Sequence, residues 1–205
     1  MISLEHISKS YGSTVVLKDF QLEIREKEAV AVVGESGCGK TTLLRIMAGL
    51  EPDYEGDVRK DGISLRKTPP NHRDMALVYQ EPALWNHMTV RENILFAADR
   101  KGAKRIPDSF QQICDGLEIT PLLARYPNEI SGGQAKRVSL ARALISPKEI
   151  LLLDEPLSNI DRETRAKVMQ FLKEHYVGRR TIVYVSHDME EVESLCDTRV
   201  RLDEA

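Results

Sequence analysis

The stretch VAVVGESGCGKTT at residues 30–42 restricts the possible folds of this chain more than any other part of it. It begins with a short valine-rich apolar run, which is typical of a buried β-strand. A glycine-rich loop follows from Gly34, and from Lys40 onward the apolar residues have the spacing of a helix. A strand, a loop with this glycine pattern and a helix, in that order, predict a phosphate-binding loop.

The residue types of this loop suit a nucleoside triphosphate. Glycines allow backbone N–H groups to turn toward phosphate oxygens, and the following helix contributes the positive end of its dipole. The Lys40 ammonium can bind the β- and γ-phosphates, and the Thr41 hydroxyl can ligate Mg²⁺. The alternative is a chance glycine-rich turn, and the flanking strand and helix argue against it. The predicted nucleotide-binding residues of the loop are Gly34, Glu35, Ser36, Gly37, Cys38, Gly39, Lys40, Thr41 and Thr42.

Length, charge and cysteine content narrow the class of protein. A chain of 205 residues can form one large domain, with or without a subdomain. The net charge is −3 and both signs are mixed throughout, so no basic face indicates nucleic-acid binding. No apolar stretch approaches the length of a membrane span, and the N-terminus lacks a signal-peptide profile. The three cysteines are scattered and show no metal-like spacing. We therefore expect a cytosolic protein with reduced thiols.

Hydrophobic patterning predicts an α/β fold. Alternating residues at 2–9 and 14–25, with a short run at 56–60, predict a small antiparallel sheet beside the nucleotide strand. Between about residues 88 and 145 helical spacing replaces strand-like runs, which predicts an inserted α-helical subdomain. Strands and helices then alternate, which predicts a mostly parallel sheet. The remaining strands are expected at 75–80, 149–154, 181–186 and 198–202, and the remaining helices at 162–176 and 188–196.

Two acidic residues, Asp154 and Glu155, follow the apolar run at 150–153. Open α/β sheets bind ligands at the carboxyl ends of their strands, where such carboxylates would lie. Asp154 suits Mg²⁺ coordination through water, and Glu155 suits polarising an attacking water molecule. Solvation of a loop would explain the pair equally well by itself. The phosphate-binding loop in the same chain favours the catalytic interpretation.

A second anion site is indicated by SGGQ at residues 131–134, immediately before a segment with helical spacing. The residues are Ser131, Gly132, Gly133 and Gln134. A hydroxyl and free N–H groups at a helix start can receive an anion, although an ordinary N-cap by Ser131 is the simpler explanation. Because the chain already has a loop for its own triphosphate, the second site suggests a nucleotide bound to another subunit.

Four further residues have ordinary structural explanations when each is considered singly. Tyr11 fits a turn, Gln80 fits the exposed end of a strand, Asp161 fits a helix N-cap, and His187 fits a loop after a strand.

Taken in chain order, these residues resemble the nucleotide-binding subunit of an ATP-binding cassette (ABC) transporter, over essentially the whole chain. The motifs are GESGCGKTT at 34–42, Gln80, ISGGQ at 130–134, ILLLDE at 150–155, SNID at 158–161 and His187. The SGGQ signature is highly specific, because the phosphate loops of kinases and GTPases occur without it. Ile130 replaces the usual leucine, which is an apolar-for-apolar change.

The resemblance implies a single ABC ATPase domain at 1–205 that binds ATP and Mg²⁺. Its P-loop NTPase core would comprise residues 1–87 and 146–205, including the antiparallel β subdomain, and its helical signature subdomain residues 88–145. The implied metal ligands are Thr41, Gln80 and Asp154, and Tyr11 would stack on adenine.

The resemblance also implies catalytic and intersubunit roles. Glu155 would be the base, His187 would hold the γ-phosphate and water in line, and Gln80 would sense the γ-phosphate. Ser131 and Gly133 of the signature would contact the γ-phosphate bound to the opposite subunit, with Gly132 and Gln134 in the same nucleotide-binding set, and Asp161 would bridge the dimer interface.

Two such subunits would close around two ATP molecules, hydrolyse them and open, and would move a membrane permease through residues near 80–94. The segment WNHMTVRENILF at 85–96 resembles the corresponding part of the nucleotide-binding subunits of importers for small solutes or ions. The expected partners are a second nucleotide-binding subunit, permease subunits and a solute-binding protein, without nucleic acid. We expect a cytoplasmic subunit, peripheral on the inner face of the membrane. The chain ends soon after its last predicted strand, so we expect no substrate-sensing regulatory domain.

An ABC exporter subunit is the main alternative. A soluble ABC ATPase of DNA repair would carry a long coiled coil, for which the segment between Gln80 and Ser131 is too short. A translation factor would need two cassettes, and a nucleotide kinase does not account for SGGQ or the Asp-Glu pair.

Overall fold

The computed structural model describes residues 1–98 and 106–202. The parts of the predicted helical subdomain at 99–105 and of the predicted core at 203–205 therefore lie outside the described residues. The strands are β1 Ile2–Tyr11, β2 Thr14–Ile24, β3 Ala29–Val33, β4 Glu55–Lys60, β5 Ile63–Ser64, β6 Met75–Val78, β7 Ile150–Asp154, β8 Thr181–Val185 and β9 Thr198–Arg201. The α-helices are α1 Lys40–Ala48, α2 Val90–Ala98, α3 Phe110–Gly116, α4 Gly132–Ile145, α5 Arg162–His175 and α6 Met189–Leu195.

The larger sheet has five strands in the order β6-β7-β8-β3-β9. Strand β3 runs parallel to both β8 and β9, and β7 runs parallel to β8. Every residue of β7 and β8 is buried, as continuous apolar runs in parallel sheets predict. Because these strands are parallel, the carboxyl ends of β3, β7 and β8 lie at one edge of the sheet, and each is followed by a predicted site residue.

The smaller sheet has four strands in the order β2-β1-β4-β5, and its strand pairs are antiparallel. The buried apolar residues of β1 are Ile2, Leu4 and Ile7, so their alternate spacing along the strand skips one residue after Leu4. A register shift against β2 lies between Leu4 and Ile7 and accounts for this skip. The predicted small antiparallel sheet is confirmed.

The structure differs from the prediction at two strands. Strand β5 was not predicted, because two residues after the Asp61-Gly62 turn are too few to show alternation. Strand β6 ends at Val78, so the predicted strand at 75–80 is too long and Gln80 lies in the following loop.

Helix α1, which follows the phosphate loop, is closed at its carboxyl end by a buried arginine. The Arg73 guanidinium donates to the carbonyl oxygens of Ile46 and Met47 at 2.9 and 3.0 Å. It also donates to the carbonyl oxygens of Leu65 and Thr68 at 2.8 and 2.9 Å. The bonds to Ile46 and Met47 supply donors at the carboxyl end of α1, where the carbonyl groups lack the N–H partners of the next helical turn.

The chain divides into two compact units. The sheet unit comprises Met1–Leu77, Glu149–Asp154 and Val177–Ala205, and the helical unit comprises Val78–Lys148 and Glu155–Tyr176. Within residues 1–98 and 106–202, none of the helices combines the length and the apolar character needed to cross a bilayer.

Candidate nucleotide site

In the sheet unit, the loop between β3 and α1 is organised around the side chain of Lys40. Lys40 Nζ donates to the carbonyl oxygens of Gly34 and Glu35 at 2.8 and 2.6 Å and lies 3.7 Å from Cys38 Sγ. Gly39, the N-cap of α1, carries no side chain that could accept from the first N–H groups of the helix. Those N–H groups and the helix dipole form the kind of end that binds phosphate.

Thr41 and Asp154 meet although 113 positions separate them in the chain. Thr41 Oγ1 donates to Asp154 Oδ2 at 2.7 Å, and Asp154 is buried at the end of β7. A hydroxyl and a carboxylate in contact offer hard oxygen ligands, which Mg²⁺ prefers. The structure thus joins two of the three predicted metal ligands. The third, Gln80, belongs to the helical unit.

A cavity of about 400 Å³ is lined by residues at the carboxyl ends of β3 and β8. Gly34 and Glu35 of the phosphate loop line it together with His187, and Arg199 and Arg201 of β9 contribute positive charge. The structure therefore places His187 beside the same cavity as the predicted phosphate loop.

A buried cluster holds the backbone on both sides of His187. The hydroxyls of Tyr184 and Ser186 both donate to Glu191 Oε2, at 2.8 and 2.7 Å. Burial, with Glu191 nearby, raises the pKa of Tyr184 well above its ordinary value, so the phenol stays protonated and donates. The Asp188 N–H donates to Ser186 Oγ at 3.0 Å, and the Asp188 side chain caps α6.

Tyr11, at the end of β1, is held by two charged side chains. Its hydroxyl donates to Glu51 Oε2 at 2.8 Å, and Lys9 Nζ lies 4.6 Å from the centroid of its ring. Lys9 also donates to Glu51 Oε1 and to Asp53 Oδ2, each at 3.1 Å. The bond from Tyr11, followed by the one from Lys9, lowers the pKa of Glu51. Burial opposes the charge of Lys9, but its bonds to Asp53 and Glu51 raise its pKa.

The ring of Tyr11 thus has a fixed orientation, and the residue is 48% exposed, which leaves room for a stacked ligand. A second cavity, of about 240 Å³, lies next to the phosphate loop. Val15, Val16 and Leu17 of β2 line it together with Cys38.

In the helical unit, Gln80 and Glu155 lie together. Gln80 Nε2 donates to Glu155 Oε2 at 3.3 Å. Glu155 directly follows β7 and has a φ of 44°, a conformation that residues with a side chain rarely adopt. Such conformations persist where surrounding contacts impose them, and they cluster at functional sites.

Ser131 and Asp161 are both helix N-caps, as their simplest interpretation predicts. Ser131 Oγ accepts from the Gln134 N–H at 3.3 Å, and Gln134 Oε1 accepts from the Ser131 N–H at 2.9 Å, which closes a capping box. Asp161 Oδ1 accepts from the Thr164 N–H at 3.0 Å, and this bond is the main cause of its lowered pKa. Ser131 and Gly132 are exposed, so the turn is open to a ligand.

An aromatic pair marks the segment predicted to meet a permease. The rings of Trp85 and Phe96 lie 4.5 Å apart, and the Arg142 guanidinium lies 4.6 Å from the Trp85 ring centroid. Asn93 is fully buried, and its side chain bonds to the backbone of the preceding segment: Oδ1 accepts from the Trp85 N–H at 2.9 Å, and Nδ2 donates to the Met88 carbonyl oxygen at 3.1 Å. Phe96 is 57% exposed, so the segment presents an aromatic surface of fixed shape.

A family model described as ABC transporter matches residues 17–158, which is more than half of the chain. The chain belongs to the ABC transporter family. The match contains the phosphate loop, the SGGQ turn and the Asp154-Glu155 pair, and it confirms the resemblance that these motifs predict.

Among ABC relatives, the maltose/maltodextrin import ATP-binding protein MalK of Photorhabdus laumondii is 40% identical over 205 residues, 98% of this chain and 56% of the relative. The ABC transporter ATP-binding protein YurJ of Bacillus subtilis is 42% identical over 206 residues, 99% of this chain and 56% of the relative. The chain therefore spans about half the length of the curated relatives that it matches.

A solved structure of the ATP-binding cassette MJ0796, dimeric and bound to ADP and Pi after hydrolysis, has a TM-score of 0.88 at 29% identity. The match covers 98% of this chain and 94% of that one. This likeness confirms the predicted α/β fold with a P-loop NTPase core.

Several residues beside the predicted site were not found from the sequence. Lys9 and Glu51 hold Tyr11, Glu191 lies behind the His187 loop, and Lys136 contacts the backbone of Glu155. One signal was available for Lys136: helical spacing places it on the same face of α4 as the buried Leu140 and Leu144.

Proposed function

We propose that this chain binds and hydrolyses ATP as the nucleotide-binding subunit of a membrane transporter. The observation that carries the proposal is the edge of the larger sheet in the sheet unit. There the Lys40 loop, the Thr41–Asp154 contact and His187 follow three neighbouring parallel strands, the position where open α/β sheets bind ligands.

Each group at this edge has a chemical task. The Lys40 ammonium and the N–H groups of the loop and of α1 would bind the phosphates, and Tyr11 would stack on the base. Thr41 and Asp154 fit Mg²⁺, which neutralises charge on the β- and γ-phosphates when it is bound.

Hydrolysis requires a water molecule to attack the γ-phosphorus while its proton is removed. Glu155 would accept that proton, and the bond from Gln80 would orient its carboxylate. His187 would hold the γ-phosphate in line with the water. The bond from the γ-phosphorus to the bridging oxygen then breaks, and ADP and inorganic phosphate leave.

The exposed SGGQ turn would complete the site of a second subunit, with Asp161 at the interface. The second subunit is a further copy of this chain or a related one. The dimeric state of the similar MJ0796 cassette supports this arrangement. Each nucleotide would then lie between the Lys40 loop of one subunit and residues 131–134 of the other.

Import is the direction that the relatives favour, because MalK is named as an import protein. The aromatic surface of Trp85 and Phe96 would meet the permease, which would hold the chain at the inner face of the membrane. An exporter subunit is the alternative. Co-purification of a permease together with a solute-binding protein would support import.

The substitution Glu155→Gln tests the proposed base. We expect the variant to bind ATP, to lose turnover and to elute from a size-exclusion column as an ATP-bound dimer. Lys40→Ala is the control, because it removes the phosphate-binding ammonium and should abolish binding of a fluorescent ATP analogue. A Glu155→Gln variant that stays monomeric with Mg-ATP and hydrolyses normally would show that the base is assigned to the wrong residue.

A further inference from the structure

Helix α4 contributes a buried lysine to the loop that follows Glu155. Lys136 is 7% exposed, and its Nζ donates to the carbonyl oxygen of Glu155 at 3.3 Å and to Ser158 Oγ. Ser158 Oγ in turn donates to the same carbonyl oxygen at 2.9 Å. One ammonium therefore connects the helix that begins at the SGGQ turn to the backbone of Glu155.

A close backbone approach joins the same two segments one turn earlier. A Cβ added to Gly133 would lie 2.8 Å from the carbonyl oxygen of Asn159, so any other side chain would force the loop away. Gly133 and Lys136, three residues apart on α4, thus contact two successive parts of the loop.

The backbone of Glu155 needs such support, because its φ of 44° is disfavoured for a residue with a side chain. Its carbonyl oxygen accepts from Lys136, from Ser158 Oγ and from the Ser158 N–H at 3.3 Å. A hydrogen bond from a charged donor is stronger than one from a neutral donor. The Glu155 carboxylate also accepts a bond from Gln80 Nε2, at 3.3 Å.

We propose that Lys136 is a positioning residue for ATP hydrolysis, and this inference rests on the proposed function. It fixes the backbone of the proposed base, Glu155, relative to the helix that begins at the SGGQ turn. A nucleotide that engages the turn is thereby linked to the orientation of Glu155. We assign Lys136 a positioning role and not a catalytic one, because it acts through its bonds to the carbonyl oxygen of Glu155 and to Ser158 Oγ.

The test compares Lys136→Met with Lys167→Met in the full chain. Lys167 is a matched control, since it is an exposed lysine of the helical unit that pairs with Glu118 and Glu163. Three quantities are measured: kcat and KM for Mg-ATP, the Kd for a fluorescent ATP analogue, and hydrogen–deuterium exchange of residues 155–161 without nucleotide.

For Lys136→Met we expect faster exchange of residues 155–161 and a kcat lower by about ten- to a hundredfold, because a displaced catalytic group costs rate. The Kd for the analogue should stay within about twofold of the wild type, since the phosphate-binding groups are elsewhere. Lys167→Met should behave as the wild type does.

A Lys136→Met variant with unchanged kcat, or with an affinity loss as large as its kcat loss, overturns the positioning role. If Lys136→Met does not fold, Ser158→Ala takes its place, with the same expected fall in kcat and the same overturning result. A wild-type chain without turnover, or a normally active Glu155→Gln variant, instead refutes the proposed function and the positioning role with it.

Discussion

Alanine substitutions at Gly37 and Gly39 of the phosphate loop distinguish two destabilising effects: the strain of a left-handed backbone conformation and the steric clash of an added Cβ. Both residues have positive φ angles, 83° at Gly37 and 105° at Gly39. A Cβ at Gly37 meets nothing within 4 Å, whereas a Cβ at Gly39 would lie 2.7 Å from Val16 Cγ1 and 2.9 Å from Val16 O. Gly37→Ala therefore has a backbone cost, and Gly39→Ala has a backbone cost and a steric one.

The magnitudes follow from these contacts. A non-glycine residue in the left-handed region costs about 1–2 kcal/mol, and overpacking adds about 1–3 kcal/mol. The lower entropy of the unfolded chain offsets about 0.4–1 kcal/mol in both variants. We expect the free energy of unfolding to fall by about 1 kcal/mol in Gly37→Ala and by about 2–4 kcal/mol in Gly39→Ala. In a chain of this size each kcal/mol corresponds to about 2–4 °C in Tm.

Urea unfolding gives the two free energies, and titration with a fluorescent ATP analogue gives the functional consequence. Because Gly39 is the N-cap of α1, relief of the clash with Val16 must move the start of that helix and Lys40 with it. Gly39→Ala should therefore lose most of its ATP affinity, and Gly37→Ala should lose less. Equal unfolding free energies for the two variants would refute the steric reasoning, and wild-type affinity in Gly39→Ala would refute its link to the nucleotide.

Two further predictions concern titratable groups. Hydrogen bonds from Tyr11 and Lys9 lower the pKa of Glu51 from its ordinary value of 4.5. The stabilisation of the folded state by the ionised Glu51 carboxylate is therefore complete above pH 4.5, and it is lost as the pH falls through the folded-state pKa. The stability difference between wild type and Glu51→Gln should therefore shrink on acidification in urea unfolding, and a constant difference would contradict this. Burial raises the pKa of Cys114 to about 11 and of Cys196 to about 12, so iodoacetamide at pH 8 should label Cys38 first, and Mg-ATP should slow that labelling. Equal labelling of all three thiols, or no protection by Mg-ATP, would argue against it.

Local patterns in the sequence predicted the elements that carry the site. The valine-rich run at 30–33 and the periodic segments after Lys40 and after Ser131 appear as β3, α1 and α4. Periodicity reports which face of a segment is buried, and this information is contained in neighbouring residues. It fails for β5, which has two residues, and at the end of β6, where the apolar run continues past Val78, the last residue of the strand.

The sequence by itself determined the family, the kinds of elements and the loop predicted to bind phosphate, because each depends on residue types at short spacing. Only the tertiary structure decided that Thr41 contacts Asp154, that Glu51 holds Tyr11, and that Lys136 supports the backbone of Glu155. These contacts join positions that are distant in the chain or hidden on a helix face. The packing of strands and helices sets such distances, and no local pattern encodes them.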